Sequence, residues 1–241
     1  MTLRVFLTGA SSGIGHEIAL RYSESGAIVG AASRSEASGY RADVRDAASI
    51  RQAAEAFISA HGCPDIVYAN AGISAGNLNR YEEDLDTFRD IFDTNVIGMA
   101  NTFQPFLPHM LDRGSGTLVG IASVAGFRGL PGASAYSASK AAVIAYLEGL
   151  RAEVYRSGIR VVTISPGYIE TPMTEANPYP MPFLVPAPKA AKLIVKAVES
   201  GKLSYTFPWP MKWVGSVLKL LPDGLHARLF SGAPHKPRRI R

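Results

Sequence analysis

The sequence predicts a single α/β domain in which helices cover both faces of a doubly wound parallel sheet, followed by a C-terminal extension. Three observations lead to this fold class. Short apolar runs of strand length alternate with longer segments of helical periodicity. The apolar runs are continuous rather than alternating, as expected for strands buried on both faces. The chain has 241 residues, with 47% apolar and 19% charged side chains, which suits one substantial core better than two.

Six strands are expected in order along the chain. They lie at residues 5–8, 27–32, 66–69, 117–122, 160–164 and 203–207. The segments between the first five have the length and apolar spacing of helices. These helices are expected at residues 15–25, 47–60, 86–111 and 135–157. Because strands and helices take turns, the strands are expected to pair in parallel.

Two irregular stretches interrupt this alternation. Residues 35–42 are too few for a crossover helix plus a strand, so a loop or a single turn is expected there. Residues 171–188 hold six prolines together with Met, Tyr, Phe, Leu and Val side chains. Such a proline-stiffened apolar excursion is typical of a lid or wall over a site. We assign it to a domain of residues 1–200, with residues 201–241 as the last strand and an extension of the same domain.

Charge is distributed unevenly along the chain, whose formal net charge is +5. Residues 1–200 carry 17 Lys and Arg side chains against 19 Asp and Glu, whereas residues 201–241 carry eight against one. A near-neutral body argues against nucleic acid as a partner, and we expect none. The basic surplus belongs to the C-terminal extension.

Cys63 is the single cysteine of the chain. One thiol excludes an intrachain disulfide and a cysteine-based metal cluster, so no metal site is expected, and it fits a reducing, cytoplasmic location. The N-terminus has neither the charged start nor the longer apolar run of a signal peptide. Nowhere do about 18 uncharged apolar residues follow one another, the length that a spanning helix needs. We therefore expect neither a secretion signal nor a membrane span.

A glycine-rich turn follows the first predicted strand and opens the first predicted helix. Glycines permit a tight turn and a close backbone approach, and the helix N-terminus presents N–H groups and a positive dipole end to an anion. This context predicts a turn that binds a pyrophosphate, with an ordinary glycine-rich turn as the alternative. Its residues are Gly9, Ser11, Ser12, Gly13, Ile14 and Gly15.

Arg34 follows the second predicted strand, about 20 residues past the glycine turn, where NAD-dependent enzymes carry an acidic residue for the ribose hydroxyls. The sequence here reads Ala-Ala-Ser-Arg, so the acid is absent and a cation follows. A guanidinium suits a 2′-phosphate through forked hydrogen bonds. NADP(H) is therefore favoured over NAD(H), which stays the open alternative, and a solvated surface arginine is the plain interpretation of Arg34.

Tyr136 and Lys140 stand four residues apart near the start of a predicted helix, so their side chains share one helical face. A phenol that titrates near 10 is a poor base at neutral pH, but a neighbouring cation lowers the pKa of the phenol. Most pairs of this kind are simple surface pairs. Ser123 and Asn70 strengthen the hypothesis, because both follow predicted strands whose carboxyl ends meet at one rim of a parallel sheet.

The combined pattern resembles the short-chain dehydrogenase/reductase family of single-domain, Rossmann-type oxidoreductases. The resemblance covers roughly residues 3–200. It rests on seven ordered segments: residues 8–15, Asp43-Val44, Asn70-Ala71-Gly72, Asn95, Ser123, Tyr136 to Lys140, and residues 166–171.

The resemblance implies a role for each matching residue. Asp43 and Val44 would border the adenine, and Asn70, Ala71 and Gly72 would support the ribose side of the cofactor. Near the nicotinamide, the matching residues are Pro166, Gly167, Ile169 and Thr171, of which Ile169 and Thr171 would meet the amide. The family's catalytic tetrad falls on Asn95, Ser123, Tyr136 and Lys140. Tyr136 and Lys140 would also contact the cofactor.

The implied activity is hydride transfer between nicotinamide C4 and a carbonyl or secondary alcohol, with Ser123 bonded to the substrate oxygen and Tyr136 as acid/base. Lys140 would hold the nicotinamide ribose and lower the Tyr136 pKa, and Asn95 would steady a water. A cofactor-binding regulator or redox sensor with little turnover is the alternative. The resemblance also implies a homodimer or homotetramer assembled through residues 86–111 and 135–157.

Two C-terminal features bear on partners. The apolar side chains of residues 171–188 favour a small apolar carbonyl or alcohol substrate, although packing onto the body explains them equally. Wound as a helix, residues 212–221 place Trp213, Val217 and Leu220 on one arc, with Lys212 and Gly215 opposite. With the basic residues 235–241, this extension suits peripheral contact of residues 208–241 with an anionic membrane, or docking on protein.

Overall fold

The computed structural model describes residues 2–35 and 39–238. Within them, seven parallel strands form one central sheet in the order β3-β2-β1-β4-β5-β6-β9. The strands are β1 (Arg4–Thr8), β2 (Ile28–Ser33), β3 (Tyr40–Arg41), β4 (Ile66–Ala69), β5 (Gly116–Ile121), β6 (Ile159–Pro166) and β9 (Ser204–Phe207). A separate parallel pair joins β7 (Ile169–Glu170) to β8 (Val185–Pro186). The predicted parallel sheet is confirmed.

Helices connect the strands and cover both faces of the sheet. They are α1 (Gly13–Glu24), α2 (Ala47–His61), α3 (Asp84–Phe92), α4 (Gly98–Phe103), α5 (Leu107–Arg113), α6 (Ser134–Glu153), α7 (Pro172–Glu175), α8 (Ala187–Glu199), α9 (Trp209–Leu220) and α10 (Asp223–Phe230). A π-helical segment (Asp93–Ile97) joins α3 to α4, and a 3₁₀ turn (Val124–Gly126) follows β5.

Two apolar cores lie on opposite faces of the sheet. On one face, side chains of α2, α4 and α6 pack around Phe6 and Phe57 of the buried cluster. On the other face, α1 and α8 pack side by side, with Ile18 and Ile194 fully buried. Helices on both faces of a parallel sheet define the doubly wound Rossmann-type architecture.

The strand order reverses between β1 and β4. From β1 the chain winds outward to β2 and β3, and it then returns to place β4 on the other side of β1. In such sheets a crevice opens at this switch point, beyond the carboxyl ends of the strands. The glycine turn after β1 and Asn70 after β4 therefore lie at the same crevice.

The single long helix predicted at residues 86–111 is wrong as a continuous element. The structure divides it into α3, the π-helical segment, α4 and α5. Pro105 lies between α4 and α5 and lacks the N–H that an uninterrupted helix would need there. The π-helical segment widens the helix around Asn95, a departure that polar and apolar periodicity does not reveal.

Helices α7, α8 and α10 and strands β3, β7 and β8 were not predicted. Prolines in and around residues 171–188 obscure the start of α8. The short crossover after β2 leads into the two-residue strand β3, whose Tyr40 pairs with Ala32. Residues 36–38 of this crossover and residues 239–241 of the basic terminus lie outside the described residues.

Candidate active site

A cavity of about 160 Å³ opens at the crevice between β1 and β4. It is lined by thirteen of the residues that the sequence singled out. These are Ser12, Gly13, Ile14, Asn70, Ala71, Gly72, Ser123, Tyr136, Lys140, Pro166, Gly167, Ile169 and Thr171. The fold therefore brings together segments separated by up to 159 positions in the sequence.

The glycine turn is held tightly against the loop after β4. Gly9 adopts φ +71°, and a Cβ added there would lie 2.7 Å from the Ala71 Cα. A Cβ at Gly15 would collide with the Gly9 carbonyl oxygen. The Asn70 amide nitrogen donates to the carbonyl oxygens of Thr8 and Gly9, at 3.1 Å each. These contacts leave the first turn of α1 open toward the cavity, and Ser11 is exposed beside it.

The predicted adenine-side residues Arg34, Asp43 and Val44 lie outside the lining of this cavity, as do Gly9, Ser11 and Gly15 of the glycine turn. Arg34 is exposed and directly follows the carboxyl end of β2. That end of β2 contacts the glycine turn, because the Gly9 N–H donates to the Ala32 carbonyl oxygen. The pKa of Asp43 is lowered, first by its hydrogen bond from Arg45 and further by Arg34. Val44 is buried against Gly98 at the start of α4. The sequence analysis missed Arg45, whose guanidinium lies 2.7 Å from the Asp43 carboxylate.

Ser123 lies two residues past the end of β5 and caps the 3₁₀ turn that follows. Its Oγ accepts from the Ala125 N–H at 3.2 Å and donates to the Pro166 carbonyl oxygen at 3.4 Å. The second contact ties the end of β5 to the end of β6. Ser123 is therefore held at the carboxyl rim of the sheet.

Tyr136 and Lys140 lie on the face of α6 that is turned toward this rim. Lys140 is 4% exposed, and its Nζ donates to the Ile121 carbonyl oxygen at 2.8 Å. Burial lowers the pKa of Lys140 to about 8. Burial raises the pKa of Tyr136, and hydrogen bonding with Ser123 opposes that rise. The expected lowering of the Tyr136 pKa by Lys140 is not found, because desolvation dominates and the ammonium is directed at Ile121.

Asn95 occupies the π-helical segment and is 1% exposed, which excludes a simple surface asparagine. Its Oδ1 accepts from the Ile73 N–H at 2.8 Å, and its Nδ2 donates to the Ile73 carbonyl oxygen and to Ser139 Oγ at 3.0 Å each. The amide thereby ties the loop after β4 to α6. Gly72 fits between this amide and Lys140, since a Cβ there would lie 3.2 Å from Asn95 Oδ1.

A second cavity of about 350 Å³ adjoins the first and shares Ser123, Tyr136 and Gly167 with it. Most of its lining is apolar. The large apolar or aromatic lining residues from the lid and the C-terminal helices are Met173, Tyr179, Pro182, Phe183, Met211, Val214, Leu218 and Phe230. Residues of the excursion at 171–188 line this cavity, and α9 and α10 supply further lining. The sequence analysis missed this contribution of residues 209–230.

The last described residues run back across the mouth of the site. The Gly76 N–H donates to the Pro237 carbonyl oxygen at 3.0 Å. Lys236 Nζ donates to the Met173 carbonyl oxygen at 2.9 Å and to Ser74 Oγ at 3.2 Å. Arg238 forms an ion pair with the buried carboxylate of Asp84 at 2.8 Å. The C-terminal segment thus joins the loop after β4 to the lid.

Helix α9 docks on the body through Met211 and Gly215, and a Cβ at Gly215 would collide with the Phe127 ring. Gly215, which the helical pattern places opposite Trp213 and Leu220, therefore faces the body. Trp213 and Leu220 are 67% and 84% exposed.

No helix in the described part of the chain is both long and apolar enough to cross a membrane. The same residues contain no cluster of three or more side chains suited to a metal ion.

Comparison with known proteins identifies the family. A sequence profile described as short chain dehydrogenase matches residues 4–180. The chain belongs to this family. It is an NAD(P)-dependent dehydrogenase/reductase that acts on CH–OH groups, as the resemblance implied, and it uses a nicotinamide cofactor.

Individual relatives cover different shares of this short-chain dehydrogenase. An uncharacterized oxidoreductase of Myxococcus xanthus is 37% identical over 235 residues, covering 91% of this chain and 92% of its own. A 3-oxoacyl-[acyl-carrier-protein] reductase of Thermotoga maritima is 35% identical over 190 residues, covering 71% and 76%. A Burkholderia cenocepacia short chain dehydrogenase, solved with NADP, superposes with a TM-score of 0.83 at 26% identity, covering 95% and 97%.

Proposed function

We propose that this short-chain dehydrogenase uses NADP(H) to interconvert an apolar carbonyl compound and its alcohol, with Tyr136 as the acid/base. One observation carries the proposal. Ser123 and Tyr136 lie on the boundary between the smaller cavity, which contains the glycine turn and Lys140, and the larger apolar cavity. The smaller cavity suits the nicotinamide end of a dinucleotide, and the larger suits an apolar substrate.

The glycine turn fits the diphosphate of such a cofactor. Gly9 and Gly15 admit the close packing of the turn, and the first turn of α1 offers free N–H groups to an anion. Arg34 and Arg45 place two guanidinium groups on the adenine side, and Arg45 is already paired with Asp43. Of these two, Arg34 is therefore the one that we assign to a 2′-phosphate, which supports NADP(H) over NAD(H).

The reacting groups follow from the rim geometry. The bound nicotinamide supplies or accepts the hydride. Ser123 Oγ, fixed by Ala125 and Pro166, orients the substrate oxygen. The raised pKa keeps the Tyr136 phenol protonated at neutral pH, so that it donates a proton to the oxygen during reduction. Lys140 lies beneath it, with Nζ 5.8 Å from the phenol ring centroid, and positions the cofactor ribose.

Asn95 is a positioning residue in this proposal. Its Oδ1 and both N–H donors of its amide have partners in Ile73 and Ser139, so it fixes the loop carrying Gly72 against the helix carrying Lys140. The assembly proposed for the enzyme is a homodimer or homotetramer through residues 86–111 and 135–157, in the cytoplasm. Peripheral contact of residues 208–241 with an anionic membrane is retained as part of the proposal.

Turnover with a panel of apolar ketones and aldehydes tests the reaction. Wild-type enzyme is expected to oxidise NADPH in the presence of at least one of them. Tyr136→Phe should lower kcat by roughly a thousandfold, since general acid catalysis contributes about 10²–10⁴. NADPH binding, followed by fluorescence, should stay within about threefold. An active Tyr136→Phe variant would refute the assignment, and NADPH binding without any turnover would favour a cofactor-binding regulator.

Coenzyme choice is tested at Arg34. Arg34→Leu should lower the kcat/KM ratio of NADPH over NADH by roughly 10- to 100-fold, the usual effect of losing a hydrogen bond to a charged group. Arg34→Lys keeps the charge and should retain most of the preference. Steady-state kinetics with both coenzymes measure the ratio. An unchanged ratio in Arg34→Leu would contradict the NADP(H) assignment. It would not contradict the proposed hydride transfer.

A further inference from the structure

The larger cavity contains a cation that no carboxylate of the described residues neutralises. Two cations line it, Arg128 and Lys236, and its lining includes no Asp or Glu. Arg128 is paired with the Asp223 carboxylate at 2.6 Å. The partners of Lys236 are neutral oxygens, of Met173 and Ser74. The wall around the apolar cavity therefore carries one uncompensated positive charge.

The position of Lys236 makes this charge costly in the free protein. Burial lowers the pKa of Lys236. An ammonium group has three donors, and the described contacts use two of them. A partly desolvated cation gains most from an anion placed at its remaining donor, because few waters compete for it. The neighbouring cation Arg238 shows the contrast, since it takes the carboxylates of Asp84 and Glu83.

We propose that Lys236 is a specificity-determining residue that binds a carboxylate carried by the apolar substrate. The inference rests on the proposed function and deepens it: the substrates are oxo acids or hydroxy acids with an apolar body. Tyr136 lines the same cavity, so the reacting oxygen and the carboxylate of one molecule are held at two points. One free ammonium matches a monoanion, whereas a dianion would leave a second charge buried without a partner.

This role also gives a reason why the C-terminal segment contributes to the lining of the larger cavity. Lys236 is bound at once to the lid, through Met173, and to the loop after β4, through Ser74. An anion at its third donor would stabilise the protonated form of Lys236 and add to the contacts that hold these segments together. The substrate carboxylate is therefore bound by Lys236, which lies outside the segment that matches the family profile.

Matched acids and esters provide the test in the full-length enzyme. The probes are 4-oxo-, 6-oxo- and 8-oxodecanoate with their methyl esters, reduced with NADPH, so that the distance between carbonyl and carboxylate is varied. Wild-type enzyme should prefer at least one acid over its ester by about tenfold or more in kcat/KM, chiefly through KM. Lys236→Gln keeps an N–H donor for Met173 but removes the charge, and it should abolish the preference by lowering kcat/KM for the acid much more than for the ester.

Two controls separate charge recognition from a structural tether. Lys236→Arg should keep at least part of the preference for the acid. Lys212→Met, which removes an exposed lysine of α9, should leave kcat/KM unchanged for both the acids and the esters. Equal use of acids and esters by the wild type would overturn the proposal. So would a Lys236→Gln variant that loses acid and ester activity in equal measure, because that result indicates a tether alone.

A binding measurement keeps this inference distinct from the proposed reaction. Calorimetry with decanoate and decanol needs no turnover. Wild-type protein should bind decanoate about tenfold more tightly than decanol, and Lys236→Gln should bind the two alike. If no oxo compound is reduced but this difference holds, the reaction proposal fails and the carboxylate site stands. Equal affinity of the wild type for both probes would refute the site whatever the turnover.

Discussion

Lys140 is the residue at which stability and chemistry conflict most clearly. It is 4% exposed, donates to the Ile121 carbonyl oxygen, and has a pKa lowered from its ordinary 10.5 to about 8 by burial. A depression of this size costs the folded protein about 3 kcal/mol at neutral pH. A group kept at such a cost is typical of functional sites, which agrees with the proposed role beside Tyr136.

Lys140→Met should therefore raise the free energy of unfolding at pH 7. The lost hydrogen bond to Ile121 offsets part of the gain, so we expect a net increase of about 1–3 kcal/mol. The folded pKa of Lys140 lies below the unfolded one, so its cost is full below pH 8 and disappears as the pH rises toward 10.5. The advantage of the variant should shrink over that range.

Denaturant unfolding from pH 7 to pH 10.5 measures this difference. Lys192→Met removes an exposed lysine on α8 and serves as the matched control, with no expected pH-dependent gain. A Lys140→Met variant that is less stable than wild type at pH 7 would show that the ammonium contributes more through its contacts than it loses through desolvation. The same variant should have lost catalysis.

At the scale of the element, α9 has two apolar faces rather than one. Met211 and Gly215 pack on the body, and Leu218 lines the larger cavity. Trp213 and Leu220 are seven residues apart, so they lie on one face of the helix, and this face points outward with exposures of 67% and 84%. The helix therefore serves as the wall of the cavity and presents an apolar stripe to a further partner. Lys212 and Lys219 of α9 and Arg228 of α10 are exposed as well, and these cations suit an anionic lipid surface.

The double variant Trp213→Gln/Leu220→Gln tests that surface. Wild-type protein should sediment with vesicles of phosphatidylglycerol and phosphatidylcholine, more weakly at high salt and not with phosphatidylcholine alone. The variant should bind the anionic vesicles about tenfold more weakly, because two large apolar side chains no longer enter the interface. Leu20→Gln removes an apolar side chain of 46% exposure on α1, outside the proposed subunit interfaces, and should have no effect.

The same variants distinguish membrane contact from self-association. If equal amounts of wild type and double variant sediment with vesicles, the membrane contact is refuted. If light scattering then shows that only the double variant has lost its oligomeric state, a second copy of the chain covers the stripe. Point variants are preferable to truncation at residue 208, since truncation would also remove Met211, Val214 and Lys236 from the cavity.

At the scale of the whole molecule, most of the sheet was predictable from local signals. The apolar runs at β1, β4 and β5 are continuous because both of their faces are buried, so their positions can be found without any contact information. The glycine turn and the residues after β4 and β5 follow from the rule that parallel strands end at one rim. The break of the long helix at Asn95 was not predictable, because it depends on contacts with Ile73 and Ser139.

The sequence by itself determined the family, the doubly wound fold and the residues that line the crevice, since each is encoded in short segments whose spacing and residue types carry the information. Only the tertiary structure decided how those residues are tuned. Desolvation of Tyr136 reverses the expected direction of its pKa shift, and desolvation of Lys140 lowers the pKa of the lysine. Both effects depend on burial by contacts that are distant in sequence. The placement of Lys236 beside Ser74, 162 positions away, likewise follows from the folded chain alone.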